Sequence, residues 1–212
     1  MYIPDYFNDS TLEEVKEVIK NNSFGILINT TQGKLWATHI PMELTVNDKG
    51  EDVLVGHVSK GNKQWKAFTE NKEVLVIFQG PHAYVSSTWY NHENVPTWNY
   101  VAVHIHGSIS IIKGEALYNA LKRLIHTYET KTETNLKIED LSEKLVKKEM
   151  RGIVGFEIKI EEIKAAFKLS QNRDDESYKN VVNALEASEN QNEISVATYM
   201  KHRREANFSD DN

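Results

Sequence analysis

The sequence predicts an α+β fold that is mainly antiparallel β: a small β-barrel with flanking helices. Three observations carry this. About six runs of β-type residues crowd the first half of the chain, joined by turn signals such as Gln32-Gly33 and Asn47-Asp48-Lys49-Gly50. The linkers between these runs are too short for the helical crossovers that parallel strands need. Longer helical periodicity is confined to the N-terminal segment and to the residues after Gly114. A chain of 212 residues suits one domain of ordinary size, or one with a smaller appendage. The domain is placed at residues 1–190, with helices inserted over 114–150, and a C-terminal helix and tail at 191–212.

Taken in order, Ser10 and Glu13 have capping-box spacing, and Leu12, Val15 and Ile19 follow on one helical face until Asn21-Asn22-Ser23. Phe24 to Thr30 is a β-type run, and Leu35 to Ile40 pairs back on it across Gln32-Gly33. In Ala37-Thr38-His39-Ile40-Pro41 the proline is expected to end the strand. Leu44-Thr45-Val46 leads into the second turn, and Asp52 to Val58 is the next strand. Gly61-Asn62 opens a short helix over Lys63 to Glu70. Val74 to Phe78 and Ala83 to Ser86 are two further strands. Ser87 to Asn99, rich in Trp, Asn and His, is an irregular covering loop.

Tyr100 to Ile112 alternates cleanly, with Val101, Val103, Ile105, Ile109 and Ile111 on one face, and Gly107 suggests a bulge or bend. Beyond Gly114, Glu115 to Tyr128 is an amphipathic helix with Leu117, Leu121, Leu124 and Ile125 inward. Leu141, Leu145 and Met150 suggest a second helical piece. Ile153 to Ile160 returns to the sheet, and Asp174 to Ala187 and Ile194 to Arg204 are helical. Asn207 to Asn212 are expected to fray.

Composition excludes several function classes. Asp plus Glu number 31 against 25 Lys plus Arg, a net charge of −6, so a large basic field for DNA is absent and only local basic patches remain. There is no cysteine, which removes disulfide scaffolds, thiolate zinc sites, iron–sulfur clusters and thiol catalysis. No apolar run approaches membrane-spanning length, and Met1 to Asp5 begins no signal peptide. A soluble cytoplasmic protein with no membrane partner is expected.

Several constellations carry chemistry. In Gly56-His57-Val58-Ser59-Lys60-Gly61-Asn62-Lys63-Gln64-Trp65 a strand end, a glycine turn and a helix start follow one another. Such a turn presents backbone N–H groups, Ser59 and Asn62 add neutral donors, and Lys60 adds charge, which together suit a phosphate. It is no Walker loop, and an ordinary turn with a capping Asn is the commoner meaning of so short a pattern. Thr38 and His39 suit the edge of a planar heterocycle, or are simply a satisfied strand terminus. Phe78-Gln79-Gly80-Pro81-His82-Ala83-Tyr84, Trp89-Tyr90 and Val95-Pro96-Thr97-Trp98-Asn99-Tyr100 suit a flat ligand with polar edges, or an aromatic minicore.

His104 and His106 project from one strand face, but without a third ligand at a compelling spacing they suit a polar sheet face better than a metal. Lys168-Leu169-Ser170-Gln171-Asn172-Arg173 precedes a helix and is either an anion contact or a solvated helix start. Two basic clusters, Lys144, Lys147, Lys148, Arg151 and Lys201, His202, Arg203, Arg204, are interrupted by Glu143, Glu149 and Glu205. No helix-turn-helix pair or zinc finger accompanies them, so direct DNA binding is weakly supported.

Together, Met1-Tyr2-Ile3-Pro4, Ala37-Thr38-His39-Ile40-Pro41, Gly56 to Asn62, Phe78 to Tyr84, Val95 to Tyr100 and Leu169 to Arg173 resemble the ordered motif series of the PaiB family, from Met1 to about Ala187. The resemblance implies an FMN-binding negative transcriptional regulator linked to protease production and sporulation. It also implies the FMN-binding split barrel, a Greek-key-like antiparallel barrel that forms homodimers with flavin at the subunit interface. On that resemblance Ser59, Lys60, Asn62 and Gln64 hold the FMN phosphate. Thr38, His39, Gln79 and Gly80 line the isoalloxazine edge. Trp98 and Asn99, with Lys168, Ser170, Gln171, Asn172 and Arg173, close the pocket from the same or the other subunit.

The family pattern after His57 has alanine where Ser59 stands and proline where Lys63 stands. Lys63 either adds charge to the phosphate site or loosens its turn. The alternative function is a flavin-dependent oxidoreductase using FMN and NAD(P)H, in which His57 or His39 tunes proton supply.

Overall fold

At Gln32-Gly33 two consecutive residues with positive φ, 51° and 74°, turn the chain back on itself, the geometry a two-residue hairpin requires. In this computed structural model, which describes residues 1–7, 10–130, 132 and 135–209, the flanking strands are β1 (Phe24–Thr31) and β2 (Lys34–Val46). They pair antiparallel from Phe24 opposite Pro41 to Thr31 opposite Lys34.

Pro41 does not end β2, contrary to the expectation from its chemistry. It is the last β2 residue paired with β1; from Met42 to Val46 the strand pairs with β3 (Asp52–Ser59). A residue with no N–H to give is tolerated where a strand changes partner. Thr38 and His39 therefore sit within a strand and not at its terminus. The β2–β3 turn is held by Asn47, whose Oδ1 accepts from the N–H groups of Lys49 (2.9 Å) and Glu51 (3.0 Å), with Gly50 at φ +79°.

Three more strands, β4 (Glu73–Val85), β5 (Thr97–Ile112) and β6 (Ile153–Lys168), complete a closed barrel of order β1-β2-β3-β6-β5-β4. β1 pairs antiparallel with β4, Ile26 opposite Ile77, and β3 with β6, from Val53 opposite Lys159 to Ser59 opposite Ile153. Every consecutive strand pair is adjacent except β3 and β4. The link between those two, residues 60–72, supplies the Greek-key character.

β4 is one strand where two runs were expected. Gly80-Pro81 has the composition of a turn, but strand pairing overrides it. β5 keeps its alternation through Gly107, with Val101, Val103, Ile105, Gly107 and Ile109 all buried. Gly107 marks a close approach: a Cβ there would lie 2.2 Å from the Lys159 carbonyl oxygen.

Helix α1 (Leu12–Asn21) is capped one residue later than the spacing suggests. The Thr11 N–H donates to Glu14 Oε2 (2.7 Å), and the Glu14 N–H to Thr11 Oγ1 (3.2 Å). Val15, Val18 and Ile19 are consequently buried, and Leu12 is exposed. In α2 (Gly114–Glu129) Leu117 is buried, while Leu121, Leu124 and Ile125 are only half-buried. α3 (Glu143–Arg151) is capped by Ser142 and α4 (Asp175–Glu186) by Asp174, whose Oδ1 accepts from the Ser177 N–H at 2.9 Å. α5 (Gln191–Ser209) is longer than expected at both ends, and 210–212 lie outside the described residues. No helix among the described residues is long and apolar enough to cross a membrane.

The chain forms two compact units. One comprises Ile19–Phe78 and His104–Ile163; its buried side chains include Leu27, Met42, Leu54, Phe68, Ile105 and Phe156, with Phe68 edge-on to Phe156 at 5.8 Å. The other comprises Met1–Val18, Gln79–Val103 and the chain from Lys164 onward, with Val101, Phe167, Leu169, Val181, Leu185 and Met200 buried.

Candidate functional site

The turn after β3 belongs to the first of these units and is fixed bond by bond. The Lys60 N–H donates to the Gly152 carbonyl (2.8 Å), the Asn62 N–H to the Ser59 carbonyl (2.9 Å), and the Gly61 N–H to Ser59 Oγ (3.2 Å). Asn62 has extended backbone and caps the 3-10 helix Lys63–Thr69, its Oδ1 accepting from the Gln64 N–H at 3.0 Å. The Trp65 indole N–H donates to the Lys60 carbonyl at 3.0 Å.

Beneath the turn Gln64 has no exposed surface. Its Nε2 donates to Asn29 Oδ1 (3.0 Å) and the Leu27 carbonyl (3.1 Å), with the Trp36 carbonyl at 3.4 Å. Its Oε1 accepts from the Thr38 hydroxyl, and Thr38 Oγ1 in turn accepts from Asn62 Nδ2 at 2.9 Å. Thr38, Asn62 and Gln64 are thus brought together, but as a framework that ties the turn to β1 and β2. Sequence reasoning missed Asn29, which is 3% exposed. It follows Gly25 and Leu27 on the inward parity of β1, and an amide on that otherwise apolar face is the available signal. Asn29 Nδ2 is buried and meets no acceptor among the described residues.

The outer side of the turn is different. Ser59, Lys60, Gly61 and Lys63 are exposed. Ser59 Oγ accepts from Gly61, so its own O–H remains available to donate. From Gly56 to Lys66 there are three lysines and no Asp or Glu. The turn keeps its cap with Lys63 in the proline position, so this residue adds charge without undoing the geometry. His57, half-buried on β3 opposite Gly155, has its imidazole pKa pushed below the usual value by burial. His39 is exposed, its ring stacked 6.3 Å from that of Phe24.

The remaining expected residues lie in the other unit. Gln79 is exposed, its Nε2 3.3 Å from His82 Nδ1, and Gly80 is buried against Val101. The exposed Trp98 ring lies 5.9 Å from Tyr84, edge-on, and 6.2 Å from His82. Asn99 and Ser170 are buried and face each other: Asn99 Nδ2 donates to Ser170 Oγ (3.0 Å), whose hydroxyl donates back to Asn99 Oδ1 (3.1 Å). Gln171 binds its own main chain, accepting from the Leu169 N–H (2.7 Å) and donating to the Phe167 carbonyl. These three side chains build the loop. Asn172 is exposed. Lys168 donates to Thr97 Oγ1, and burial, then the charge of Arg173, push its ammonium pKa down. The Arg173 guanidinium lies 4.8 Å over the Tyr90 ring.

The basic clusters are partly neutralised. Lys147 pairs with Glu143, Lys201 with Glu186 and Arg204 with Asp175. His104 and His106 belong to no metal-binding group of three or more His, Cys, Asp or Glu among the described residues.

A family model described as "Putative FMN-binding domain" matches residues 1–162, which contain the whole Ser59–Gln64 turn. The chain belongs to this FMN-binding family. A Bacillus subtilis relative, "Protease synthase and sporulation protein PAI 2", is 44% identical over 203 residues, spanning 96% of this chain and 98% of its own length. The PaiB resemblance read from the ordered motifs is thereby borne out. Among solved structures, an FAD and heme binding protein from Mycobacterium smegmatis matches with TM-score 0.61 at 16% identity, over 81% of this chain and 78% of that one. The flavocytochrome Anf3 from Azotobacter vinelandii matches with TM-score 0.59 at 16% identity, over 80% and 73%. At such identities the likeness shows the split-barrel fold alone.

FMN is the cofactor of the family, and the turn fits it. A rigid, acid-free loop offering a free hydroxyl and exposed ammonium groups suits a doubly charged phosphate, and Asn29 adds an unpartnered buried donor in the framework below. The chemistry FMN supplies when bound is one- and two-electron redox at its isoalloxazine ring.

Proposed function

We propose that the chain is an FMN-binding negative regulator of the PaiB type. The observation that carries the flavin part is the Ser59–Lys63 turn, held from below by Asn62, Gln64, Thr38 and Asn29 and cationic on its outer side. Ser59, Lys60 and Lys63 hold the phosphate, and Asn62 and Gln64 hold the turn. Thr38 and His39 stand on β2, toward the ring. Gln79 on β4, Trp98 on β5, Lys168 at the end of β6 and Arg173 in the loop after it, a loop that Asn99, Ser170 and Gln171 hold, are contacts donated by a second copy of the chain. The regulatory part is supported by 44% identity to a relative named for protease synthesis and sporulation. Carboxylates already pair with basic side chains on α3 and α5, which favours control through a partner or metabolite over a phosphate-driven grip on DNA.

The test is titration of the purified apoprotein with FMN and with riboflavin, followed by flavin fluorescence. FMN is expected to bind at least about tenfold more tightly, since one charge-assisted bond contributes about 1.5–3 kcal/mol. Lys60→Ala should shrink that difference. Equal affinity for the two flavins, or no quenching at about tens of micromolar, overturns the assignment. NAD(P)H oxidation above that of free FMN would assign an oxidoreductase instead.

A further inference from the structure

Lys60 and Trp65 also border a cavity of about 390 Å³ between the end of β5, the first turns of α2, the end of α3 and the start of β6. That volume is at the small end of the range for small-molecule pockets. Its floor is apolar: Ile111, Leu117, Met150 and Val154 contribute, and Leu117 is the buried residue of α2. Gly155 makes the floor possible. A Cβ there would lie 2.5 Å from Leu117 Cδ1, so a side chain at 155 would push α2 off β6.

The rim has the opposite character. Lys60, Lys113 and Arg151 line the cavity, and no acidic residue does. All three are exposed, and none has an ion pair or side-chain hydrogen bond among the described residues. Lys122 and Lys159 in the same unit pair with Glu139 and Glu51, and these three cations do not pair among the described residues. Lys113 and Arg151, two unneutralised cations outside the phosphate turn, and a half-buried apolar floor form a two-part recognition surface: the floor removes hydrocarbon from water, and the rim meets a negative charge. Arg151 is the residue suited to a two-point contact with a planar anionic group.

We propose that this cavity binds an amphipathic anion, a medium-length apolar body carrying one carboxylate or phosphate head. The body lies on Leu117, Met150 and Val154, and the head meets Lys113 and Arg151. The proposal does not rest on flavin binding, because Lys113 and Arg151 take no part in the phosphate turn.

Calorimetric titration of the full chain with decanoate, decyl phosphate, decanol and inorganic phosphate, below micelle formation, tests it. At least one of the two amphipathic anions should bind saturably at one site per chain, and the tighter of the two assigns the head group. Decanol and inorganic phosphate should bind at least about tenfold more weakly, since each lacks one half of the recognition. Arg151→Gln and Lys113→Gln, both at exposed positions without partners, should each weaken the anion about tenfold and leave FMN affinity unchanged. No binding of either anion, equal binding of decanol, parent-like affinity in both variants, or joint loss of FMN and anion in Arg151→Gln would overturn the proposal. A chain that binds decanoate but not FMN would refute the flavin reading and leave this one standing.

Discussion

At the scale of single residues, the side chains that hold the Ser59–Lys63 turn bond inward, toward β1 and β2. Both the Nε2 and the Oε1 of Gln64 are bonded inside the barrel. Gln64→Leu leaves the Leu27 carbonyl and Asn29 Oδ1 without their donor and Thr38 without its acceptor. Each orphaned buried group costs about 1–3 kcal/mol, so urea unfolding should show a loss of about 3 kcal/mol or more. FMN affinity should fall as well, whereas Lys66→Ala, at an exposed position in the same 3-10 helix, should leave stability unchanged. An unaltered urea midpoint in Gln64→Leu would show that the amide does not hold the turn.

His57 gives a pH signature. Burial lowers its folded pKa below the unfolded value near 6.5. Between the two values the unfolded chain binds more protons, so stability rises with pH there and is lost as pH falls below about 6.5. Urea midpoints should decline between about pH 7 and 5.5, and His57→Gln should flatten that decline. The sequence showed which residues gather at this turn, because Ser59, Lys60, Asn62 and Gln64 fall within six consecutive positions. It did not show which side of a 3-10 helix faces the core, since seven residues of eclipsed i, i+3 rows carry little periodicity.

At the scale of elements, alternation was legible and punctuation misled. The period-2 pattern of Tyr100 to Ile112 and the Gln32-Gly33 hairpin stand where their chemistry puts them. Pro41 and Gly80-Pro81 have turn composition, yet β2 and β4 run through both, because ladder partners on neighbouring strands outweigh local preference. The cap of α1 shifted from Ser10 to Thr11 because both spacings, Ser10/Glu13 and Thr11/Glu14, satisfy the same box. Gly107 shows what a glycine in a strand means here. With the Lys159 carbonyl oxygen 2.2 Å from the missing Cβ, Gly107→Ala must push β5 off β6. Thermal melting should report a loss of about 3 kcal/mol. Gly61→Ala, whose added Cβ would meet only Ser59 Oγ at 3.6 Å, should change stability far less. Comparable losses in the two variants would refute the close-approach account.

At the scale of the whole molecule, β1 poses a question about what covers it. Its inward parity carries Gly25, Leu27 and Asn29, all buried, but Phe24, Ile26 and Ile28 on the other parity are apolar too. Across the hairpin the outward face continues with Leu35 and Ala37, which pair with Thr30 and Ile28. Phe24 is 65% exposed and Leu35 82%. A strand apolar on both parities is one that is covered on both faces, and the closed strand order leaves no free edge through which pairing to another sheet could do it. In the proposed arrangement the cover is a second copy of the chain laid face to face on this hairpin, the homodimer that the PaiB resemblance implies. Sedimentation at about micromolar concentration should therefore find a dimer. Leu35→Glu places a charge in the contact at a solvent-exposed position, so it should yield a monomer with an unchanged melting temperature. Because the second copy donates Trp98, Lys168 and Arg173 to the flavin in the proposed arrangement, FMN should bind that monomer about tenfold more weakly, the loss of one charge-assisted contact. A dimer that survives Leu35→Glu would move the contact away from this hairpin, and a monomer that keeps full FMN affinity would confine the flavin to one chain.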